Sequence, residues 1–149
     1  MVARGHETLD YQRYFPSMKT FRLHQVLKAA VATGYGTPEL VENFDHVSLA
    51  VAGSNSAGGT LKIQASLQDA MPDFTAAASP TNLWTYIQVR DLITDSAVDG
   101  GTGVVFSGDG VKHLEVNTFG VRWINVQVSA YSAGQFDAWV KGFAIDEAA

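Results

Sequence analysis

From about residue 44 onward, apolar and polar side chains alternate, and short runs of Gly, Asn, Asp and Ser separate the alternating segments. A period of two predicts β-strands with one buried face, because successive side chains point to opposite sides of a strand. The segment 60–68 is the clearest case, since every odd-numbered residue from Leu61 to Leu67 is apolar and its neighbours are polar. The pattern predicts six or seven strands, drawn from 44–51, 60–68, 85–92, 103–107, 112–118, 121–131 and 135–143.

The connections between these segments predict how the strands are joined. Gly and Asn tolerate positive φ, so 54–59 predicts a turn that folds 44–51 and 60–68 into an antiparallel hairpin. The tetrapeptide SGDG at 107–110 is a second hairpin signal. Two prolines and weak periodicity in 69–83 predict a long loop, which favours a Greek-key or jelly-roll connection over a simple meander. A slip in the alternation near Arg122-Trp123 fits a β-bulge.

One segment, 21–33, allows two interpretations. Its apolar positions fit one face of a helix, whereas the turn at 34–38 followed by Leu40-Val41 indicates a strand, a turn and a second strand. We favour the strand. The prediction is an all-β fold, a jelly-roll-like or Greek-key β-sandwich over residues 21–149, preceded by an extended N-terminal arm over residues 1–20.

Composition narrows the possible chemistry of this 149-residue chain. It has no cysteine, which excludes disulfide bonds, thiolate metal sites and cysteine nucleophiles. Charged residues make up 17% of the chain, below the roughly 25% of an average soluble domain. We expect such a neutral surface where subunits cover one another. No apolar run approaches the roughly 18 residues of a membrane span, and the N-terminus lacks the apolar core of a secretory signal, so we expect no membrane partner.

Charge is distributed unevenly between the beginning of the chain and the rest. Residues 1–28 carry five basic and two acidic side chains, a net charge of +3, whereas residues 29–149 carry a net charge of −8. A basic leading segment on an acidic body suggests that the segment docks on an acidic surface, such as a neighbouring copy of the chain. Nucleic acid is not expected as a partner, because the acidic body would repel phosphate.

Several segments between residues 30 and 144 resemble one known family. The segments are VATGYGTPELVENFDHVSLAVAG followed by GTLKIQASL, then WTYIQVRDL, a Gly-rich turn, FGVRWINVQVSAY and a last strand that ends in GFA. Their order resembles the small β-sandwich virion proteins of tailed bacteriophages, which are usually head decoration (cement) proteins. The resemblance implies a jelly-roll-like sandwich, commonly a trimer on the capsid exterior, without enzymatic activity. It does not extend to residues 1–20.

Candidate catalytic and metal-binding residues are sparse. A serine triad needs a hydroxyl, an imidazole and a carboxylate that converge in space, and the four histidines lie in no recognisable nucleophile context. The acidic turns at 95–99 and 109–110 offer oxygen ligands for calcium but lack the carboxylate spacing of an EF-hand. The glycines at 100–103 precede a strand, which favours a turn over a phosphate site. We therefore expect no catalytic residue, no cofactor and no metal.

Exposed aromatic side chains are more informative. Trp139, Tyr86 and Tyr131 occupy the polar positions of their strands, and Trp123 lies at the slip in alternation. They could form a second core face covered by a loop, a subunit interface, or a platform that stacks on sugar rings. We predict interface roles for Tyr86, Trp123 and Trp139.

The leading segment also concentrates aromatic residues. Tyr11, Tyr14 and Phe15 lie within six residues, and disordered tails are usually poor in aromatics. We predict an arm that lies across a neighbouring subunit or the shell beneath it, anchored by these three aromatic side chains and oriented by Arg4 and Arg13.

These inferences combine into a functional expectation. The chain is expected to be a structural virion protein of a tailed bacteriophage, made in the host cytoplasm and located on the capsid surface. As a decoration protein it would form a homotrimer and bind the major capsid protein or another virion protein. The alternative is a carbohydrate- or receptor-binding module of a phage tail structure, which can share the sandwich architecture.

Overall fold

The structure is a computed structural model that describes residues 18–118 and 120–145. Ten β-strands and no helix occur in this part of the chain, which confirms the predicted all-β class. The strands are β1 (Met18–Ala30), β2 (Gly34–Tyr35), β3 (Glu39–Leu40), β4 (His46–Ser66), β5 (Thr85–Tyr86), β6 (Val89–Asp91), β7 (Ser96–Val98), β8 (Val104–Ser107), β9 (Gly110–Val116) and β10 (Trp123–Ile145).

Two long strands, β4 and β10, organise the fold. They pair antiparallel along nearly their whole lengths, from Phe143 opposite His46 to Trp123 opposite Ser66. The other strands add to the edges of this pair in the order β1-β10-β4-β9-β6-β7, while β2 and β3 pair with β10, and β5 and β8 pair with β4. All the ladders are antiparallel.

Both long strands bend at the same place, which we call the corner. In β4 the backbone has positive φ at Asn55 (58°) and Ser56 (62°), and in β10 at Gly134 (80°), beside three register shifts between Val128 and Gln135. A Cβ at Gly134 would lie 2.5 Å from Ser54 O, so no other residue fits there without displacing the backbone. Consecutive bulges bend a strand sharply, so the corner folds the pair back on itself.

The bend produces two packed layers around one core. The first layer contains residues 46–53 of β4 and 135–143 of β10, flanked by β1 and β9. The second layer contains the other halves of β4 and β10, flanked by β2, β3, β5 and β8. The ring of Phe136 in the first layer lies 5.4 Å from that of Phe106 in the second.

Alternation along each strand places its apolar side chains in this core. Leu49 and Phe136 from the first layer and Leu61 and Ile124 from the second are at most 1% exposed. Each large side chain buried to this extent stabilises the fold by about 1.5–3 kcal/mol. The sandwich predicted from the period-two pattern is the observed arrangement, whereas the jelly-roll connection stays a prediction.

The predicted hairpins are wrong. Segments 44–51 and 60–68 belong to one strand, β4, because the residues at 54–57 form the corner and not a reversal. Residues 107–110 join β8, which pairs with the second-layer half of β4, to β9, which pairs with the first-layer half. There the Asp109 carboxylate accepts a hydrogen bond from the Ala57 N–H (2.9 Å), which ties this crossing to the corner.

Other segment boundaries also differ from the prediction. The predicted strands 121–131 and 135–143 are parts of the single strand β10, which begins at Trp123, and its irregularities lie at the corner and not at Arg122-Trp123. The predicted strand 85–92 is divided into β5 in the second layer and β6 in the first. The strand interpretation of 21–33 is confirmed by β1, and residues 69–83 form the predicted long loop.

The predicted arm falls largely outside the described residues. Residues 1–17 are not described, and β1 begins at Met18, so the last three residues assigned to the arm are strand residues. The division into an arm and a sandwich stays a prediction.

Candidate interaction surfaces

The outer face of the second layer is covered by the loop 69–83. Gln64 and Asn125 occupy polar positions of their strands, yet they are 0% and 1% exposed. Gln64 Nε2 donates to the carbonyl of Phe74 (2.9 Å), and Asn125 Nδ2 donates to Gln64 Oε1 (3.0 Å). Phe74 itself is 2% exposed. The loop therefore adds a third layer, to which Gln64 hydrogen-bonds directly, while Asn125 hydrogen-bonds to Gln64.

The covering loop has an ordered turn on its solvent side. Asp73 accepts hydrogen bonds from the hydroxyl (2.6 Å) and the N–H (2.9 Å) of Thr75. The Thr75 hydroxyl is the largest cause that lowers the pKa of the Asp73 carboxyl, and the backbone N–H groups of Thr75 and Ala76 lower it further. Asn82 joins the two ends of the loop, since its side chain donates to the Asp73 carbonyl and accepts from the Asp73 N–H.

Tyr86 and Trp123 lie beside this loop, half-buried. The Tyr86 hydroxyl donates to Gln127 Oε1 (2.7 Å), and the Lys62 ammonium lies 4.8 Å from its ring centre. Trp123 Nε1 donates to the Gln68 carbonyl (3.1 Å). One acceptor belongs to β10 and the other follows the end of β4, so these hydrogen bonds hold the two aromatic side chains on the sheet. An interface role for either residue stays a prediction.

The outer face of the first layer has a different character. Trp139 is half-buried on this face, opposite Gln25 of β1 and Ala50 of β4. On the next strand of this layer, β9, His113 lies opposite Ala50 and is exposed. Trp139 therefore lies on the other side of the sandwich from Tyr86 and Trp123, so the structure does not bring the three predicted aromatics together.

The remaining predicted interface residues lie outside the described residues. They are Arg4, Tyr11, Arg13, Tyr14 and Phe15.

A cleft of about 890 Å³ opens at the end of the first layer where β4 begins and β9 ends; we call it the end cleft. Arg122 Nη1 contacts Glu42 Oε2 (2.5 Å) and lies 3.8 Å from Asp69 Oδ1. The His46 ring stacks on Phe143 with a centroid distance of 4.8 Å. The described lining residues are Glu42, Phe44, Asp45, His46, Val47, Ser48, Leu67, Asp69, Leu92, Glu115, Val116, Asn117, Thr118, Gly120, Val121, Arg122 and Phe143.

Exposed apolar side chains continue from the end cleft into a shallower groove. Leu67 is 69% exposed and lines both depressions, Leu92 lines the cleft, and Leu83 lines the groove. The alternating pattern predicted Leu67 as an inward residue, but β4 ends at Ser66 and the side chain points to solvent. Contiguous apolar surface of this kind marks interaction sites.

Sequence reasoning missed the end cleft because no local motif encodes it. Its acidic residues Glu42, Asp69 and Glu115 are far apart in the chain and meet only through strand pairing. The net negative charge of residues 29–149 was the available signal for an acidic surface, although it does not identify where on the fold that surface lies.

The described histidines differ in environment. His24 Nδ1 lies 2.5 Å from Oε2 of Glu39, a carboxylate that is 4% exposed, whereas His46 and His113 are exposed. His6 lies outside the described residues. Among residues 18–118 and 120–145, no group of three or more His, Asp or Glu side chains is arranged to hold a metal ion.

Comparison with solved structures identifies a similar fold. The crystal structure of the SPBc2 prophage-derived protein YomS superposes with a TM-score of 0.63 at 10% sequence identity, over 84% of this chain and 94% of that chain. At this identity the likeness establishes the fold alone. No protein-family model and no curated protein matches the sequence.

The described part of the chain contains no helix that is long and apolar enough to cross a membrane.

Proposed function

We propose that the protein is a structural virion protein of a tailed bacteriophage, and specifically a decoration protein that bridges neighbouring capsid subunits. The observation that supports this most is the likeness of nearly the whole fold to a protein whose title calls it prophage-derived. The sequence resemblance to phage decoration proteins points the same way. The exposed apolar strip formed by Leu67, Leu83 and Leu92 supplies a surface for protein contacts.

The proposed mechanism is mechanical. A specific protein interface buries about 800 Å² per partner, with apolar and aromatic side chains at its centre. Each contact of a decoration protein can be modest, because many copies linked through a shell add their binding free energies. We propose a homotrimer as the unit that binds the major capsid protein, so that one unit joins several shell subunits.

The test uses purified phage particles and the full-length chain. Mass spectrometry of particles should detect the chain in many copies, and the purified chain should bind stripped shells and raise the temperature at which they rupture. Light scattering should give the mass of a trimer at micromolar concentration. Particles without the chain, or a monomer that leaves shell rupture unchanged, would contradict the proposal.

A second candidate is a carbohydrate- or receptor-binding module of a phage tail. The observation in its favour is the cluster in which Trp84 packs edge-on against Tyr86 (5.2 Å), whose ring also faces the Lys62 ammonium. Aromatic rings of this kind can stack on sugars. A glycan array separates the candidates, because a decoration protein should give no specific signal.

A further inference from the structure

We infer that the end cleft is the receiving site for residues 11–17 of a neighbouring copy of this chain. The inference rests on the proposed self-assembly and adds to it the place where one subunit holds the next. The occupant is the segment YQRYFPS, which carries three aromatic side chains and one arginine and no acidic residue.

Charge complementarity is the first argument. The described lining of the cleft includes four carboxylates, those of Glu42, Asp45, Asp69 and Glu115, but one guanidinium, that of Arg122. Asp69 and Glu115 are exposed, so they raise the local concentration of a cationic partner through their field. The segment 11–17 carries one basic side chain, that of Arg13, and no acid. The acidic cleft and the basic segment therefore attract each other.

The apolar lining is the second argument. Leu67 and Leu92 expose 69% and 49% of their surface at the cleft, beside the partly buried ring of Phe44. An aromatic-rich peptide covers such side chains and releases water from both surfaces. The volume of about 890 Å³ is within the range of pockets that enclose a small ligand, about 300–1,000 Å³. It can hold the side chains of a short segment but not a folded domain.

Position is the third argument. Met18 pairs with Ile145, and Phe143 of the same strand pairs with His46, a lining residue of the cleft. The segment therefore joins β1 at the same end of the first layer at which the cleft opens. Subunits that meet at this end bring a segment and a cleft together.

We assign the segment to a neighbouring copy because the inference rests on the proposed self-assembly. Crosslinking of a doubly substituted chain tests this source against the same copy.

The absence of native cysteine makes a direct crosslinking test possible. A Tyr14→Cys chain with natural nitrogen isotopes is mixed with a ¹⁵N-labelled Leu92→Cys chain and oxidised. The control replaces Leu92→Cys by Val111→Cys, which is similarly exposed (53%) but lies outside the lining of the cleft, opposite Ala52 at the start of β9. Mass spectrometry then identifies disulfide-linked peptides that join a light chain to a heavy one.

We expect the 14–92 link between chains in about tenfold excess over the 14–111 link, since docking raises the effective concentration of the two thiols. Glu115→Gln and added salt should each reduce the yield, because they weaken the charge attraction. Equal yields at 92 and 111 would overturn the inference.

A doubly substituted chain tests the source of the segment. If Tyr14→Cys/Leu92→Cys forms the link within one chain and the mixed chains form none, the segment belongs to the same copy and the inference is wrong. All these measurements use the purified chain. A missing link therefore overturns the cleft assignment alone, whereas absence of the chain from particles overturns the proposed function and leaves a measured link standing.

Discussion

The two outer faces of the sandwich begin from the same sequence pattern and end in different environments. On the first layer, the polar positions of β10 present the half-buried Trp139 and its neighbours to the surface. On the second layer, the equivalent positions carry Gln64 and Asn125, which the loop 69–83 covers completely. Alternation along a strand therefore predicts which side chains point away from the core, but not which of them reach solvent.

This comparison shows that a loop can form an additional layer on the outer face of a sheet when it buries one large apolar side chain there. Phe74 provides that side chain, and its ring lies 6.3 Å from the ring of Trp84. Beneath the loop, both ends of the Gln64 amide and Nδ2 of Asn125 are hydrogen-bonded, whereas the buried Asn125 Oδ1 has no partner among the described residues. Among the described residues, the corresponding positions of the first layer differ, because Trp139 is only half-buried and His113 is exposed.

The largest expected effect comes from removing the side chain that the covering loop buries. Phe74→Ala should lower the free energy of unfolding by about 3–5 kcal/mol, because it removes a fully buried aromatic ring and leaves a cavity over Gln64. Urea unfolding followed by tryptophan fluorescence measures the loss. Trp84 and Trp123 lie beside the loop, so their emission should also shift to the red in the folded variant.

The matched control on the other face is Trp139→Ala. Because Trp139 is only half-buried, its removal should cost about 1 kcal/mol of unfolding free energy. Self-association should be compared by light scattering at a denaturant concentration where both variants are folded. Under this condition Trp139→Ala should reduce self-association more strongly than Phe74→Ala does. Equal losses of stability in the two variants would mean that the faces do not differ as described.

Period-two alternation was sufficient to predict the all-β class and the position of most strands, whereas the strand over most of 21–33 was predicted from the turn at 34–38 and the Leu40-Val41 pair that follows it. Alternation could not distinguish a hairpin turn from the corner of β4, since the SNSAGG sequence at 54–59 permits positive φ in both. The partner strand decides between them. Because β10 bends at Gly134, the paired strand at 54–57 continues around the corner and does not reverse.

A smaller effect is expected from the buried amides, where a double-mutant cycle tests how the loop is held. Gln64→Leu leaves the Phe74 carbonyl and Asn125 Nδ2 without partners and should cost about 1–3 kcal/mol. Asn125→Leu alone leaves Gln64 Oε1 unpaired and should cost less. The double variant should be more stable than the sum of the two losses predicts, because it removes both partners of the Asn125–Gln64 hydrogen bond and leaves only the Phe74 carbonyl without its donor. Additive losses would contradict a coupled pair.

The candidate surfaces were less predictable than the fold, for a physical reason. Interaction sites here depend on side chains that are distant in sequence, such as Glu42 and Arg122, which the strand order brings into contact. The aromatic positions Tyr86 and Trp123 could be identified from alternation. Their hydrogen bonds to Gln127 and Gln68 could not, because they depend on the pairing of β4, β5 and β10, which brings together residues that are distant in sequence.

The smallest expected effect is at Asp73, which precedes Phe74 and lies on the solvent side of the same loop. Hydrogen bonds from the Thr75 hydroxyl and from the N–H groups of Thr75 and Ala76 lower the pKa of its carboxyl in the folded protein. A carboxyl with a lowered pKa stabilises the folded state above its unfolded pKa, about 3.9, and loses this contribution as the pH falls through the folded pKa. Asp73→Asn should therefore lower Tm slightly at pH 7, and the difference from the parent should shrink below about pH 4.

The measurement is thermal unfolding of both proteins from pH 7 to pH 2. Thr75→Val is the matched control, because it removes the hydroxyl that lowers the pKa most and leaves the backbone N–H in place. Compared with the parent, Thr75→Val should lose the larger part of the pH-dependent stabilisation that the Asp73 carboxylate provides. A Tm difference for Asp73→Asn that is the same at pH 7 and pH 2 would show that the ionised carboxylate does not stabilise the loop. We therefore expect two consecutive residues to contribute differently to the loop. The apolar contact of Phe74 holds the loop on the sheet, and the hydrogen bonds of Asp73 only shape its exposed turn.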